Sequence, residues 1–300
     1  MSREIENRSR KLFHGLHLGH NASEFDTKRL RERLSTEFLN VPSDFFVGKR
    51  CLDVGCGTGL NATVKMLELG ADHVVAVDLD ESCMQGEHFL EQYKGQYTFA
   101  FGSVLELEAL LGAEKFDFVH SNGVLHHTTN FGLAVSNFCS AVAPGGMCYL
   151  ETYGKGGLIR GIASYLRSMV EVDPNFRDFV AQMDEKDVLD FFHYIKRTMV
   201  LHDDQLLQNV TDTQIIKLFD QSMILTIKDI LLSPIYAEHS FEDVKQMLEV
   251  NGLTEVTRLT RYPAMSNVRR VLAPLYSDPT NKWAEMLYGS GMVMCRAVRV

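Results

Sequence analysis

The chain has no excess of positive charge, no cysteine pair at metal or redox spacing and no long apolar run, and each absence removes a class of function. Its formal net charge is −9, whereas proteins that hold phosphate backbones ordinarily present a basic face, so nucleic acid is not an expected partner. The local cluster Arg258, Arg261, Arg269 and Arg270 reads as solvated surface. The six cysteines, at 51, 56, 83, 139, 148 and 295, contain no CxxC pair and fall mostly in apolar segments. Reduced, buried thiols are expected, with neither a disulfide framework nor a zinc site. No apolar run reaches bilayer length, and the start, Met1 to Asn7, lacks the apolar core of a secretory signal. The expectation is a cytoplasmic protein without membrane association. Repeats and low-complexity tracts are absent too, and with 45% hydrophobic and 23% charged residues the 300-residue chain can bury a sizeable core.

What is present is a glycine-rich turn after an apolar strand. Cys51-Leu52-Asp53-Val54-Gly55-Cys56-Gly57-Thr58-Gly59 is followed, after about 20 residues, by Val74-Val75-Ala76-Val77-Asp78. Such a turn lets backbone N–H groups and a helix N-terminus approach a ligand, and an acid ending the next strand can accept both hydroxyls of a ribose. A dinucleotide fingerprint would place a third glycine where this chain has Leu60, which disfavours a nicotinamide-dependent oxidoreductase.

Four further segments follow in order: Phe101-Gly102-Ser103-Val104, then Phe116 through Asn122 leading to Gly123-Val124-Leu125-His126-His127, then Pro144-Gly145-Gly146, then Met147 through Glu151. With the glycine turn they resemble the ordered motifs of the class I S-adenosylmethionine (SAM) dependent methyltransferases, over roughly residues 45 to 153 and again from near 240. The resemblance implies an α/β fold: a doubly wound, largely parallel seven-stranded sheet with the seventh strand antiparallel. It also implies SAM as cofactor, with S-adenosylhomocysteine as product. Residues 1–48 would form an N-terminal helical lid, helical around Thr27 to Leu39 where Leu30, Leu34 and Phe38 recur. Residues 49–155 would form the SAM-binding core, 156–232 a helical substrate cap inserted after the fifth strand, and 233–300 the completion of the core. The cap shows helical periodicity through Leu158, Ile162, Tyr165 and Met169 and is too long for a connecting loop. Ser240 to Asp243 reads as a capping box opening a helix that Asn251-Gly252 ends.

The same resemblance places the site residues. Asp78 would hold the ribose hydroxyls, with Leu79 beside it. Gly55, Cys56, Gly57 and Gly59 would line the methionine part, and Asp53 would order the turn or meet the ligand ammonium through water. Ser103 stands where the family commonly has an acid contacting the adenine amino group, with Val104 next to it, and Asn122 would contact SAM. His126 and His127 are candidates for a general base, the alternative being support of their loop. Tyr153 is a third catalytic candidate. Tyr194, Arg197 and Tyr236 are the acceptor-binding candidates, drawn from a longer set that includes Arg160, Arg167, Tyr165, Lys196, His202, Asp203, Asp204 and His239. His14, His17 and His20 form an HxxHxxH series, but no nearby acid or cysteine completes a four-ligand set, so no metal is expected.

The implied activity is methyl transfer to oxygen or nitrogen of a small metabolite, with an amino-acid-like one among the candidates. A thioether sulfur such as that of methionine, a carbon acceptor, and a non-catalytic SAM-binding regulator are the alternatives. A homodimer is compatible with all of them. Orientation alone supplies on the order of 7–11 kcal/mol of barrier reduction in such displacements, so a base is useful for hydroxyl or ammonium acceptors and unnecessary for a thioether.

Overall fold

The computed structural model describes residues 2–18, 31, 33–79, 81–202, 206–260 and 273–300. Leu30, His20, Asp203, Asp204, Arg261, Arg269 and Arg270, singled out above, lie outside the described residues, as does the side chain of His17.

Seven strands form one sheet in the order β3-β2-β1-β4-β5-β7-β6. They are β1 (Arg50–Val54), β2 (His73–Asp78), β3 (Tyr97–Phe101), β4 (Phe116–Asn122), β5 (Val142–Tyr153), β6 (Leu253–Leu259) and β7 (Met292–Arg299). All neighbours from β3 to β5 are parallel, and β7 runs antiparallel between β5 and β6. The central strands are short and apolar on both sides because both faces are covered. Leu52 and Val54 of β1 join one buried cluster with Phe116, Val119 and Leu150, while Cys51 joins the opposite one with Val74, Phe118 and Tyr149. On the first face pack α3 (Phe131–Ser140) and α9 (Phe241–Val250), through Ala134, Val135, Phe138, Val244 and Leu248. On the second packs α2 (Asn61–Glu68), through Val64, Met66 and Leu67. Strand order reverses between β1 and β4, and ligands of doubly wound sheets bind outside the carboxyl ends at that point.

Between β5 and α9 the described residues form five helices: α4 (Gly157–Val172), α5 (Pro174–Gln182), α6 (Glu185–Leu201), α7 (Asp212–Leu218) and α8 (Gln221–Leu232). Their own core is small, built on Val170, Val180 and Leu231. The periodic stripe Leu158, Ile162 and Tyr165 faces outward, and it is Ala163 and Val170 that α4 buries. The capping box at Ser240 is present, its side chain accepting from Asp243 N–H while Asp243 accepts from Ser240 N–H.

The N-terminal expectation is corrected in part. Helix α1 (Ser2–Leu18) is present, but residues 33–35 form a bend and the described helix there is a single turn, Thr36–Leu39, started by the Ser35 side chain and stopped by Asn40 in the left-handed region. All six cysteines are buried thiols, and burial pushes those of Cys139 and Cys295 up to about 12. Among the described residues no cluster could hold a metal, and no helix is long and apolar enough to cross a membrane.

Candidate functional site

The turn after β1 is built by backbone. Gly55 and Cys56 N–H both donate to Val77 carbonyl, at 2.8 and 3.1 Å. Gly57 N–H donates to Asp78 Oδ2 at 2.8 Å, and Leu79 N–H to Oδ1 at 2.7 Å. Gly57 has φ 59 and a side chain there would meet nothing within 4 Å, so the space above it is open beside Asp78. Gly55 is required for another reason: at φ 78, a Cβ would lie 2.2 Å from Val124 Cγ2, which also shows how closely the loop after β4 approaches the turn. Leu60 takes φ 46 at the start of α2 and is fully buried, filling the place where a dinucleotide-binding turn needs glycine. Asn61 Oδ1, beside Gly59, is buried without a partner.

The cofactor-site expectations divide. Gly57 borders the open space, with Asp78 and Leu79 joined to it through the Asp78 carboxylate, whereas Gly59 faces the Asn61 side chain. Asp53 does not: it is 1% exposed, its Oδ2 accepts from Thr63 Oγ1 at 2.7 Å and its Oδ1 faces His120 Nδ1 at 2.9 Å. It ties β1, α2 and β4 together under the turn, and its burial separates the carboxylate from the open space. Cys56 directs its sulfur toward Asp78 Oδ2 and Cys83, and the Cys83 contact together with burial holds its thiol far above the usual range. Val104 turns into the core, and its carbonyl is taken by Asn137. Ser103 accepts from Leu105 N–H and donates to Glu6 Oε1 of α1 at 3.1 Å. Asn122 ends β4 next to Glu151 of β5.

Beyond β4 and β5 a second group converges. The Tyr153 hydroxyl donates to Asp229 Oδ2 of α8 at 2.6 Å. The His127 ring places Nδ1 2.9 Å from Ile235 carbonyl and 2.9 Å from Ser233 Oγ. A carbonyl only accepts, so Nδ1 carries the proton and Nε2 presents a lone pair. That Nε2 stands 3.6 Å from Asp229 Oδ1, and Oδ1 is buried with no hydrogen-bond partner. Burial holds His127 below its ordinary value, against an opposing pull from Asp229, so the ring is neutral at pH 7. Burial, with Asp229 second, pushes the Tyr153 phenol well above its usual range and keeps it a donor. Tyr153 therefore positions Asp229 and is no base. His126 is fully buried, bonded through Nδ1 to Thr152 Oγ1 at 3.0 Å with its ring 3.9 Å from that of Tyr153. It supports the floor.

Arg160 of α4 lies over the Tyr153 ring at 4.3 Å and bonds to the Tyr236 hydroxyl, and no carboxylate stands within 4 Å of it among the described residues. Arg167, one turn pair further along α4, holds the end of α8 through Ile230 and Ser233 carbonyls and covers the Tyr236 ring. Glu238 Oε1 and His239 Nε2 are buried without partners in the same group. Tyr194 and Arg197 are not part of it: both are exposed on α6, which buries no residue at all. Sequence reading missed Asp229, Glu238 and Asn61. The one signal for Asp229 was an acid beside the apolar residues Ile227, Ile230 and Leu231 of α8, and the spacing of Arg160 and Arg167, i and i+7, could have marked an inner face.

One pH consequence follows. His126 and His127 bind fewer protons folded than unfolded below about 6.5, the ordinary histidine value, because burial lowers both. Stability conferred by keeping them neutral is complete above that pH and falls as pH drops through it. Melting temperature is expected to decline between about pH 6.5 and 5, and His126→Gln should flatten that slope; an unchanged slope would contradict the assignment.

The methyltransferase domain family model matches residues 24–209. The chain is 32% identical over 121 residues to the tRNA U34 carboxymethyltransferase of Idiomarina loihiensis, covering 36% of this chain and 34% of that protein. It is 34% identical over 125 residues to the ubiquinone biosynthesis O-methyltransferase of Psychrobacter cryohalolentis, covering 41% and 46%. The chain thus spans less than half the length of these relatives. In structure it resembles the 1,6-didemethyltoxoflavin-N1-methyltransferase of Burkholderia thailandensis, solved with 1,6-didemethyltoxoflavin and S-adenosylhomocysteine, at TM-score 0.54 and 14% identity over 100% of this chain and 91% of that one. That likeness concerns the fold. With the reversal of strand order at the glycine turn and a family match over residues 24–209, the protein belongs to the class I SAM-dependent methyltransferases.

Proposed function

We propose that this methyltransferase acts on an oxygen or nitrogen of a small, amino-acid-like metabolite. The observation that supports this is the pair His127 Nε2 and Asp229 Oδ1: two buried acceptors 3.6 Å apart with no proton between them. A hydroxyl or amine places a hydrogen there. A thioether sulfur has none to place. SAM, when bound, supplies an activated methyl group on a sulfonium. Asp78 and the Gly57 turn hold its ribose side, and Asn61 and Asn122 border the methionine side. His127 takes the acceptor's proton at Nε2 while Asp229, fixed by Tyr153, holds the acceptor's second hydrogen or its cationic charge. Arg160, without a carboxylate of its own, would take an anionic group, and Tyr236 would close the pocket. The segment 156–232 then serves as the cap that excludes water and orients the acceptor.

The test is mass spectrometry of cell extract incubated with the protein and methyl-labelled SAM. Label in an O- or N-methyl group of a small metabolite is expected; label in a sulfonium or C-methyl product would refute the reading. Point changes refine it. Arg160→Ala and Tyr236→Phe are expected to raise the acceptor KM, Arg160→Ala by about tenfold to a hundredfold, with S-adenosylhomocysteine affinity nearly constant. Tyr194→Phe and Arg197→Ala should leave steady-state kinetics within about twofold, as exposed changes do. Equal effects of all four would contradict this division.

A further inference from the structure

Helix α1 touches both ends of the crevice. Glu6 accepts the hydrogen bond from Ser103 beyond β3, and the Phe13 ring packs on His127 after β4 with centroids 4.9 Å apart. Seven residues separate them, so they share one helix face. With about 1.5 Å of rise per residue and side-chain reach, that face bridges the three strand spacings of about 4.8 Å between the ends of β3 and β4. Ser9, between them on the same face, is 4% exposed and its Oγ has no hydrogen-bond partner. A buried hydroxyl in that position calls for a ligand group.

The direction of the nucleoside follows from the strand ends. Gly102 N–H donates to Asp78 carbonyl at 2.9 Å, so Ser103 stands one residue beyond the neighbour of the ribose acid. A ligand with its ribose on Asp78 and its amino-acid arm along the turn toward Asn122 has its base directed outward over β3. There the Ser103 hydroxyl already donates to Glu6 and accepts from Leu105. The hydrogen-bonding capacity left at that end is acceptor capacity, on the second lone pair of Ser103 and on the Glu6 carboxylate, and the carboxylate carries the charge that strengthens such a bond.

We propose that Glu6 reads the exocyclic amino group of adenine, so that α1 covers the cofactor and sets its base preference. A 6-amino purine offers Glu6 a donor, whereas a 6-oxo purine sets one acceptor against another. The experiment is calorimetric binding of S-adenosylhomocysteine and of its 6-oxo counterpart, S-inosylhomocysteine, to the full chain as wild type, Glu6→Gln, Glu6→Ala and Phe13→Ala. Wild type is expected to prefer the 6-amino ligand by about tenfold to a hundredfold. Glu6→Gln, whose amide both donates and accepts, should bring the ratio near one, and Glu6→Ala should weaken S-adenosylhomocysteine about tenfold or more. Phe13→Ala should lower both affinities and preserve their ratio. An unchanged ratio in folded Glu6→Gln overturns the proposal alone, as does a ratio that collapses equally in Phe13→Ala. Wild type that binds neither ligand would overturn it together with the cofactor assignment.

Discussion

Replacement of His127 by alanine is expected to lower turnover about 10²- to 10⁴-fold on an acceptor that carries a proton, the usual worth of a positioned base. Affinity for S-adenosylhomocysteine should fall no further than in Phe13→Ala, because His127 reaches the cofactor side through its packing on the Phe13 ring. The magnitude rests on three features acting together. The Nδ1 proton is fixed by Ile235 and Ser233, Nε2 faces Asp229, and burial holds the ring below the ordinary histidine value. The acid limb of kcat/KM in wild type is accordingly expected below about 6.5 and should vanish in His127→Ala. Near-normal turnover of a folded His127→Ala on its true acceptor would make the histidine structural and return a thioether acceptor to consideration.

The sheet was legible because its strands announce themselves. Val74 to Val77 and Phe116 to Val119 are apolar runs too short for helices and covered on both faces, and the turn between Gly55 and Gly59 has few alternative uses. Asp78 was legible for the same reason: it ends a strand next to that turn. The interior role of Asp53 was not, since its partners Thr63 and His120 are 10 and 67 residues away and no local pattern links them. The acceptor pocket was the least legible part. Periodicity in α4 marks two stripes, one with Leu158, Ile162 and Tyr165 and one with Arg160, Ala163 and Arg167. Hydrophobicity favours the first, yet the core shared by these helices is so small that the apolar stripe is left outside and the basic one turns toward α8 and Tyr236. Tyr194 and Arg197 misled for a related reason. Residue type suggested a pocket for a zwitterion, but α6 packs weakly and turns both side chains to solvent.

Substitution of Asp78 by alanine is expected to weaken SAM and S-adenosylhomocysteine binding about 10²- to 10⁴-fold, from two charge-assisted hydrogen bonds at roughly 1.5–3 kcal/mol each. The ribose hydroxyls would lose both acceptors, and Gly57 and Leu79 N–H would lose the carboxylate that now draws the turn toward β2. Asparagine tests whether the geometry or the charge matters. Each oxygen of Asp78 already receives a backbone N–H, so either orientation of an asparagine amide sets its NH₂ against a donor. Asp78→Asn should therefore bind no better than about tenfold above Asp78→Ala, whereas an acid needed only for two ribose bonds would be partly replaced by the amide oxygen. Calorimetric titration of both variants, with melting curves to show that each remains folded, separates the cases. Unchanged affinity in folded Asp78→Ala would remove the ribose assignment, and with it the orientation of the whole cofactor along the edge of the sheet.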